Sequence, residues 1–99
     1  FEIIEIPYYK ISKYSDFEIN ILSNMKKNKI RFPEGFTIED ILELMNRDSK
    51  SKKNKIKINY HLTELERHGL IECISIKRKK ISRLENAGET FLKTIAGLI

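Results

Sequence analysis

Tyr60-His-Leu-Thr-Glu-Leu-Glu-Arg-His-Gly-Leu-Ile-Glu72 joins the end of a helix to the start of a strand. Leu62 and Leu65, with Ile58 before them, recur at helical spacing and mark one apolar stripe. His68 stands in the last turn, where a donor suits the free carbonyls, and Gly69 stands where a left-handed residue closes a helix. Residues 70–76 follow as an apolar, β-branched run that reads as a strand. The start of this helix falls between Ser51 and Ile56.

Upstream, two further helices announce their starts. Ser15 and Glu18 have capping-box spacing, in which each side chain satisfies a free backbone N–H at a helix start. Phe17, Ile21, Leu22 and Met25 then repeat at helical period to about Lys27. Pro33 and Gly35 make a turn. Thr37 and Asp40 repeat the start signal ahead of Ile38, Ile41, Leu42 and Met45. Residues 46–54 are polar and basic. At the far N-terminus, residues 1–14 read as an edge strand or extended arm, because Pro7 removes a ladder donor from a β-rich run.

Downstream of the first strand come Lys77, Arg78, Lys79 and Lys80, then a short apolar run over residues 81–84. The pattern predicts a hairpin with a four-residue connection, although neither Gly nor Asn marks the turn. Phe91, Leu92 and Ile95 outline a closing helix over residues 86–96. The fold class is mainly α (α+β): a three-helix core, a two-stranded hairpin and a C-terminal helix, occupying residues 15–96 as one domain.

The 99 residues suffice for one domain with a thin core, and a hydrophobic content of 40% is too high for a disordered tail. No apolar run approaches the roughly 20 residues that span a bilayer, and no signal-peptide pattern begins the chain. The 19 Lys+Arg against 14 Asp+Glu give a net charge of +5, which points to an anionic partner. The placement says more than the sum: residues 50–57 and 77–80 hold basic residues and no acidic one. Cys73, the 1 cysteine, excludes an internal disulfide and a cysteine-rich zinc site, and its apolar surroundings suggest a buried, inert thiol. This suits a reducing cytoplasm. Lacking Gln, Val and Trp but rich in Ile, Lys and Asn, the composition fits an A/T-rich prokaryotic or archaeal genome.

The quoted stretch resembles the junction between recognition helix and wing in prokaryotic winged helix-turn-helix transcription regulators. Leu84-Glu-Asn-Ala-Gly-Glu-Thr-Phe-Leu92 is similar to the motif that follows the wing in those families. The resemblance implies a double-stranded DNA-binding protein, reading the major groove with the helix over residues 54–68. The wing over residues 70–84 would touch the backbone or minor groove. Such regulators suggest a homodimer on a palindromic site, as two-fold protein symmetry maps onto two-fold DNA symmetry.

Residue chemistry points the same way. If Ile58, Leu62 and Leu65 face the core, then Lys55, Lys57, Asn59, Tyr60 and Thr63 turn wholly or partly outward. Lys and Asn read guanine and adenine edges respectively. Lys77, Arg78, Lys79 and Lys80 at the hairpin tip suit phosphates or the negative minor groove. Lys50, Lys52 and Lys53 fall in a loop longer than such regulators usually have, where they extend the phosphate footprint. The wing is short, which argues against deep insertion.

Other readings give less. Tyr60 can instead cap the edge of the core. His61 reads as a packing or phosphate-contact residue rather than a metal ligand, since His68 lies two turns away on the same helix. No nucleophile–base pair, paired carboxylates, phosphate-cradling glycine loop or metal cluster is visible, so the chain reads as no enzyme and as needing no cofactor. Two alternatives remain. One is a winged-helix module of a larger replication, transposition or plasmid-maintenance protein; the other is a winged helix that binds proteins. Apolar residues at both ends, Ile95, Leu98 and Ile99 with residues 1–11, suggest a dimer contact.

Overall fold

The computed structural model describes residues 14–98, with side chains over residues 14–95. The arm expected over residues 1–14 therefore lies outside the described residues except for Tyr14, as do Ile99 and the side chain of Leu98. In chain order the elements are α1 (Asp16–Lys27), α2 (Ile38–Leu44), α3 (Lys52–Arg67), β1 (Ile71–Ile76), β2 (Lys79–Leu84) and α4 (Asn86–Leu98).

Both capping boxes form. The Glu18 N–H donates to Ser15 Oγ at 3.2 Å while the Ser15 N–H donates to Glu18 Oε1 at 3.2 Å. At α2 the Asp40 N–H donates to Thr37 Oγ1 at 3.1 Å, and the Thr37 N–H to Asp40 Oδ2 at 3.0 Å. α3 starts at Lys52, capped by Ser51, whose hydroxyl accepts from the Asn54 N–H at 3.3 Å. Lys52 and Lys53 are thus helical, and only Lys50 of that trio lies in the loop. Lysine is a good helix former, so the cap at Ser51 extends the helix over them.

α3 ends as Gly69 predicts. Gly69 has φ +76°, its N–H donates to the Glu66 carbonyl at 2.9 Å, and the Leu70 N–H donates to the Leu65 carbonyl at 3.1 Å. This pair of bonds satisfies carbonyls that a helix end leaves free, and it turns the chain straight into β1. Asn46, at φ 57°, closes α2 in the same manner: its N–H bonds the Glu43 carbonyl, and that of Arg47 the Leu42 carbonyl.

β1 and β2 pair antiparallel, from Ile71 opposite Leu84 to Ile76 opposite Lys79. The connection is therefore the two residues Lys77 and Arg78, not four, and Lys79 and Lys80 belong to β2. Two-residue connections with positive φ at both positions match the right-handed twist of a hairpin. Lys77 (φ 50°) and Arg78 (φ 68°) adopt them without glycine or asparagine, so composition could not announce the turn. Phe36 forms a further bridge to Ser82, each N–H donating to the other's carbonyl at 2.8 Å. Gly35 permits this approach: at φ +115°, a Cβ there would run into the Ile81 side chain and lie 2.9 Å from the Ser82 carbonyl oxygen.

Ile21, Leu22 and Met25 of α1, Ile41 and Leu42 of α2, and Ile58, Leu62 and Leu65 of α3 are fully buried. Phe36, Leu70, Ile71, Phe91 and Leu92 complete the core. Phe17, expected in that core, is only partly buried and packs at its edge. Ile95 is partly buried against the same cluster. Cys73 is half-buried with Sγ 3.5 Å from Ser82 Oγ, and burial pushes its thiol up, so it stays protonated at neutral pH. No helix among the described residues is long and apolar enough to cross a membrane.

Candidate nucleic-acid interface

Burial of Ile58, Leu62 and Leu65 on one side of α3 decides what the other side shows. At 3.6 residues per turn, Lys53, Ile56, Tyr60, Thr63 and Arg67 point away from that stripe. All five are exposed, with Tyr60 at 63%, so Tyr60 does not cap the core edge. Ile56 is equally exposed at 63% and adds an apolar candidate to the polar ones expected from the sequence. The signal was present: two residues before Ile58, a side chain lies about 200° round the helix and cannot share the buried stripe.

The two flanks of α3 serve different neighbours. Toward α1, Lys57 Nζ lies 4.8 Å from the centre of the Phe17 ring, and the Arg47 guanidinium 5.0 Å from that same ring. Phe17 therefore holds two cations at the rim of the core, a reason for its partial exposure. His61 also faces α1, with its ring centre 4.8 Å from that of Phe17 and Nδ1 3.5 Å from Glu18 Oε2. That placement makes His61 a packing residue. Toward the wing, Lys55 pairs with Glu39 of α2 at 3.4 Å, and Asn59 Oδ1 accepts from Lys80 Nζ at 2.9 Å. Thr63 Oγ1 donates to the Asn59 carbonyl at 2.8 Å.

The expected basic residues thus divide. Lys55, Lys57 and Lys80 are engaged within the fold. Among the described residues no carboxylate forms an ion pair with Lys50, Lys52, Lys53, Lys77, Arg78 or Lys79, and all six are exposed. Lys52 and Lys53 occupy the first turn of α3, where no acidic residue accompanies them. α1 and α2 begin instead with Asp16 and Glu18, and with Glu39 and Asp40.

A cleft of about 400 Å³ lies between the start of α2 and the wing, lined by Thr37, Ile38, Glu39, Arg78, Lys79 and Lys80. Glu39 is the acid inside this basic surround. A hydrogen bond from its own backbone, then the Lys55 ammonium and more distant Lys79, hold its carboxyl below the usual carboxylate range against a small opposing effect of burial. The arrangement offers cations at the start of α3 and on the wing, with Ile56, Tyr60 and Thr63 exposed on the outer face of the helix. No group of three or more metal-ligating side chains occurs among the described residues.

No protein-family model and no curated protein matches the chain. Solved structures do. The fold is similar to that of a glycine-to-lysine point mutant of MepR from S. aureus, with a TM-score of 0.69 and 17% identity, over 90% of this chain and 61% of that one. It is similar to MepR in complex with DNA at a TM-score of 0.67 and 16% identity, over 90% of this chain and 59% of that one. MepR, a transcription regulator of the Staphylococcus aureus multidrug efflux pump MepA, also matches at 0.57 and 16% identity, over 94% and 76%. The chain spans about three fifths of the length of the first two. The winged helix-turn-helix fold expected from the sequence is the fold of this chain.

Proposed function

We propose that the chain binds double-stranded DNA as a transcription regulator, with α3 in the major groove and the wing on the adjacent backbone or minor groove. The observation that carries this is the first turn of α3. Lysines at a helix N-terminus oppose the macrodipole, at a cost of about 0.3–1 kcal/mol each. Lys52 and Lys53 sit there while the other two core helices begin with acids. The placement becomes favourable when an anion such as a phosphate reaches that helix end.

Lys50, Lys52 and Lys53 then hold phosphates, and Asn59, Tyr60, Thr63 and Ile56 face base edges. Lys77, Arg78 and Lys79 meet the backbone or minor groove, while Lys55 and Lys57 line the flanks of the helix. A MepR structure is a DNA complex, and the likeness of fold supports the same docking here. A homodimer on a palindromic site in the cytoplasm completes the reading, because two half-sites roughly 34 Å apart require two recognition helices. Its contact would lie on the C-terminal helix around Ile95, which is only partly buried against the core.

The test is a salt titration of binding to duplex DNA, using one random and one native upstream sequence, with sedimentation of the protein alone and on DNA. Affinity should fall steeply with salt on both duplexes, log K losing about 0.9 per phosphate contact for each unit of log salt. The native sequence should bind more tightly, with two copies per site. Weak binding without salt dependence would point instead to a winged helix that contacts proteins. A monomer on DNA at tens of micromolar would remove the dimer.

A further inference from the structure

Lys80 does not behave as a wing-tip cation. In β2 it stands two residues from Ser82, on the same face of the hairpin, and Ser82 is buried at 1% exposure. Lys79 is exposed while Lys80 is half-buried, because alternation along the strand turns Lys80 toward α3 and Lys79 away. Its Nζ ends 2.9 Å from Asn59 Oδ1, across 21 residues of sequence.

Chemistry orients this contact without ambiguity. An ammonium has three donor protons and no acceptor, so the atom it meets on Asn59 must be the carbonyl oxygen. The Nδ2 amide, with its two donor protons, is left to the groove. An unengaged asparagine suits adenine, donating to N7 and accepting from N6–H₂. Here the accepting oxygen already carries a cation, so an adenine amino group would approach an ammonium. Guanine presents acceptors at both N7 and O6. Nδ2 of Asn59 and the remaining protons of Lys80 match them.

We propose that Lys80 is a specificity-determining residue: by holding Asn59 Oδ1 it makes the pair a donor-only edge that selects guanine over adenine at the base pair facing Asn59. The inference rests on α3 entering the major groove, as proposed above.

The experiment takes the chain and its Lys80→Met, Lys79→Met and Asn59→Ala variants through selection from a randomised duplex pool. Affinities are then measured for every single-base change in the selected site, and thermal melts confirm that each variant folds. The unaltered chain should prefer guanine over adenine at one base pair by about tenfold or more. Lys80→Met should erase or invert that preference while leaving the other positions as they were, and Asn59→Ala should flatten it. Lys79→Met should weaken all sites evenly. Matching behaviour of Lys80→Met and Lys79→Met, both uniform, would reduce Lys80 to a phosphate contact and overturn the proposal. So would an adenine preference in the unaltered chain that Asn59→Ala abolishes. If no sequence is selected from the pool and no salt-dependent binding is seen, the groove reading itself fails, and this inference falls with it.

Discussion

Lys77 and Arg78 turn the wing through two consecutive left-handed residues, at φ 50° and 68°. Side chains with a Cβ pay for that region of backbone space, on the order of 1 kcal/mol or more for each residue. The tip could have been Asn-Gly, which adopts the same turn at little cost. Replacing Lys77 by Asn and Arg78 by Gly relieves both positions, less the entropy cost of the glycine, and should therefore raise stability by about 1–2 kcal/mol, read as a higher urea midpoint. The same variant should bind both random and specific DNA more weakly, with a flatter salt slope. An unchanged midpoint would show that the lysine–arginine tip carries no strain.

Charge at the start of α3 makes the second trade between stability and binding. Lys52→Glu with Lys53→Glu gives α3 the acidic first turn that α1 and α2 already have. Stability should rise by about 0.3–1 kcal/mol per position at low salt, and affinity for DNA should drop more than about tenfold. Denaturation and binding measured at the same ionic strength check both halves. Loss of stability, or full retention of binding, would contradict the role given to these lysines.

Glu39 lies 3.4 Å from Lys55, in the cleft shared with Lys79 and Lys80. Glu39→Gln removes a negative charge from the basic surface and should tighten binding to all duplexes a few-fold. The group is held below its ordinary carboxylate value, so it stays charged until the pH falls through that lowered folded value. The few-fold gain should therefore be the same from about pH 7 to about pH 5. A gain that fades over that range would mean that Glu39 is taking up a proton within it. Any stability from the Lys55 pairing would likewise be present above the ordinary carboxylate range and lost only at lower pH.

Ile56 is exposed on the outer face of α3, so Ile56→Ser should change folding stability by no more than about 0.5 kcal/mol. An apolar side chain there suits a thymine methyl group. The variant should lose roughly 1 kcal/mol on the specific site and almost nothing on random DNA, measured by competition binding. A large drop in melting temperature would instead place Ile56 in a packed contact.

Leu62 is fully buried at the centre of the buried stripe of α3. Leu62→Ala should cost about 2–5 kcal/mol by deleting apolar contacts and leaving a cavity. In a domain this small, that is a large share of the total stability. Calorimetric melting reads the loss directly, and an unaltered transition would mean that Leu62 does not face the core.

Local chemistry along the chain was enough to locate most of the fold. Ser15 with Glu18 and Thr37 with Asp40 are three residues apart, and their capping bonds form within one turn. Gly69 stops α3 for a reason carried by one residue, and the spacing of Ile58, Leu62 and Leu65 marks a buried face whatever lies against it. Because these interactions span only a few residues, sequence order alone encodes them.

Tertiary structure decided the rest. The length of the hairpin connection depended on the cross-strand register, which Lys77 and Arg78 do not advertise. Phe17 left the core to sit beneath Lys57 and Arg47, partners 40 and 30 residues away. The division of the basic residues into engaged and unengaged was equally hidden, since Lys55 meets Glu39 and Lys80 meets Asn59 only after the elements pack. A sequence lists which side chains can donate, but which acceptor each one reaches is a distance, and distances across 21 residues exist only in the folded chain.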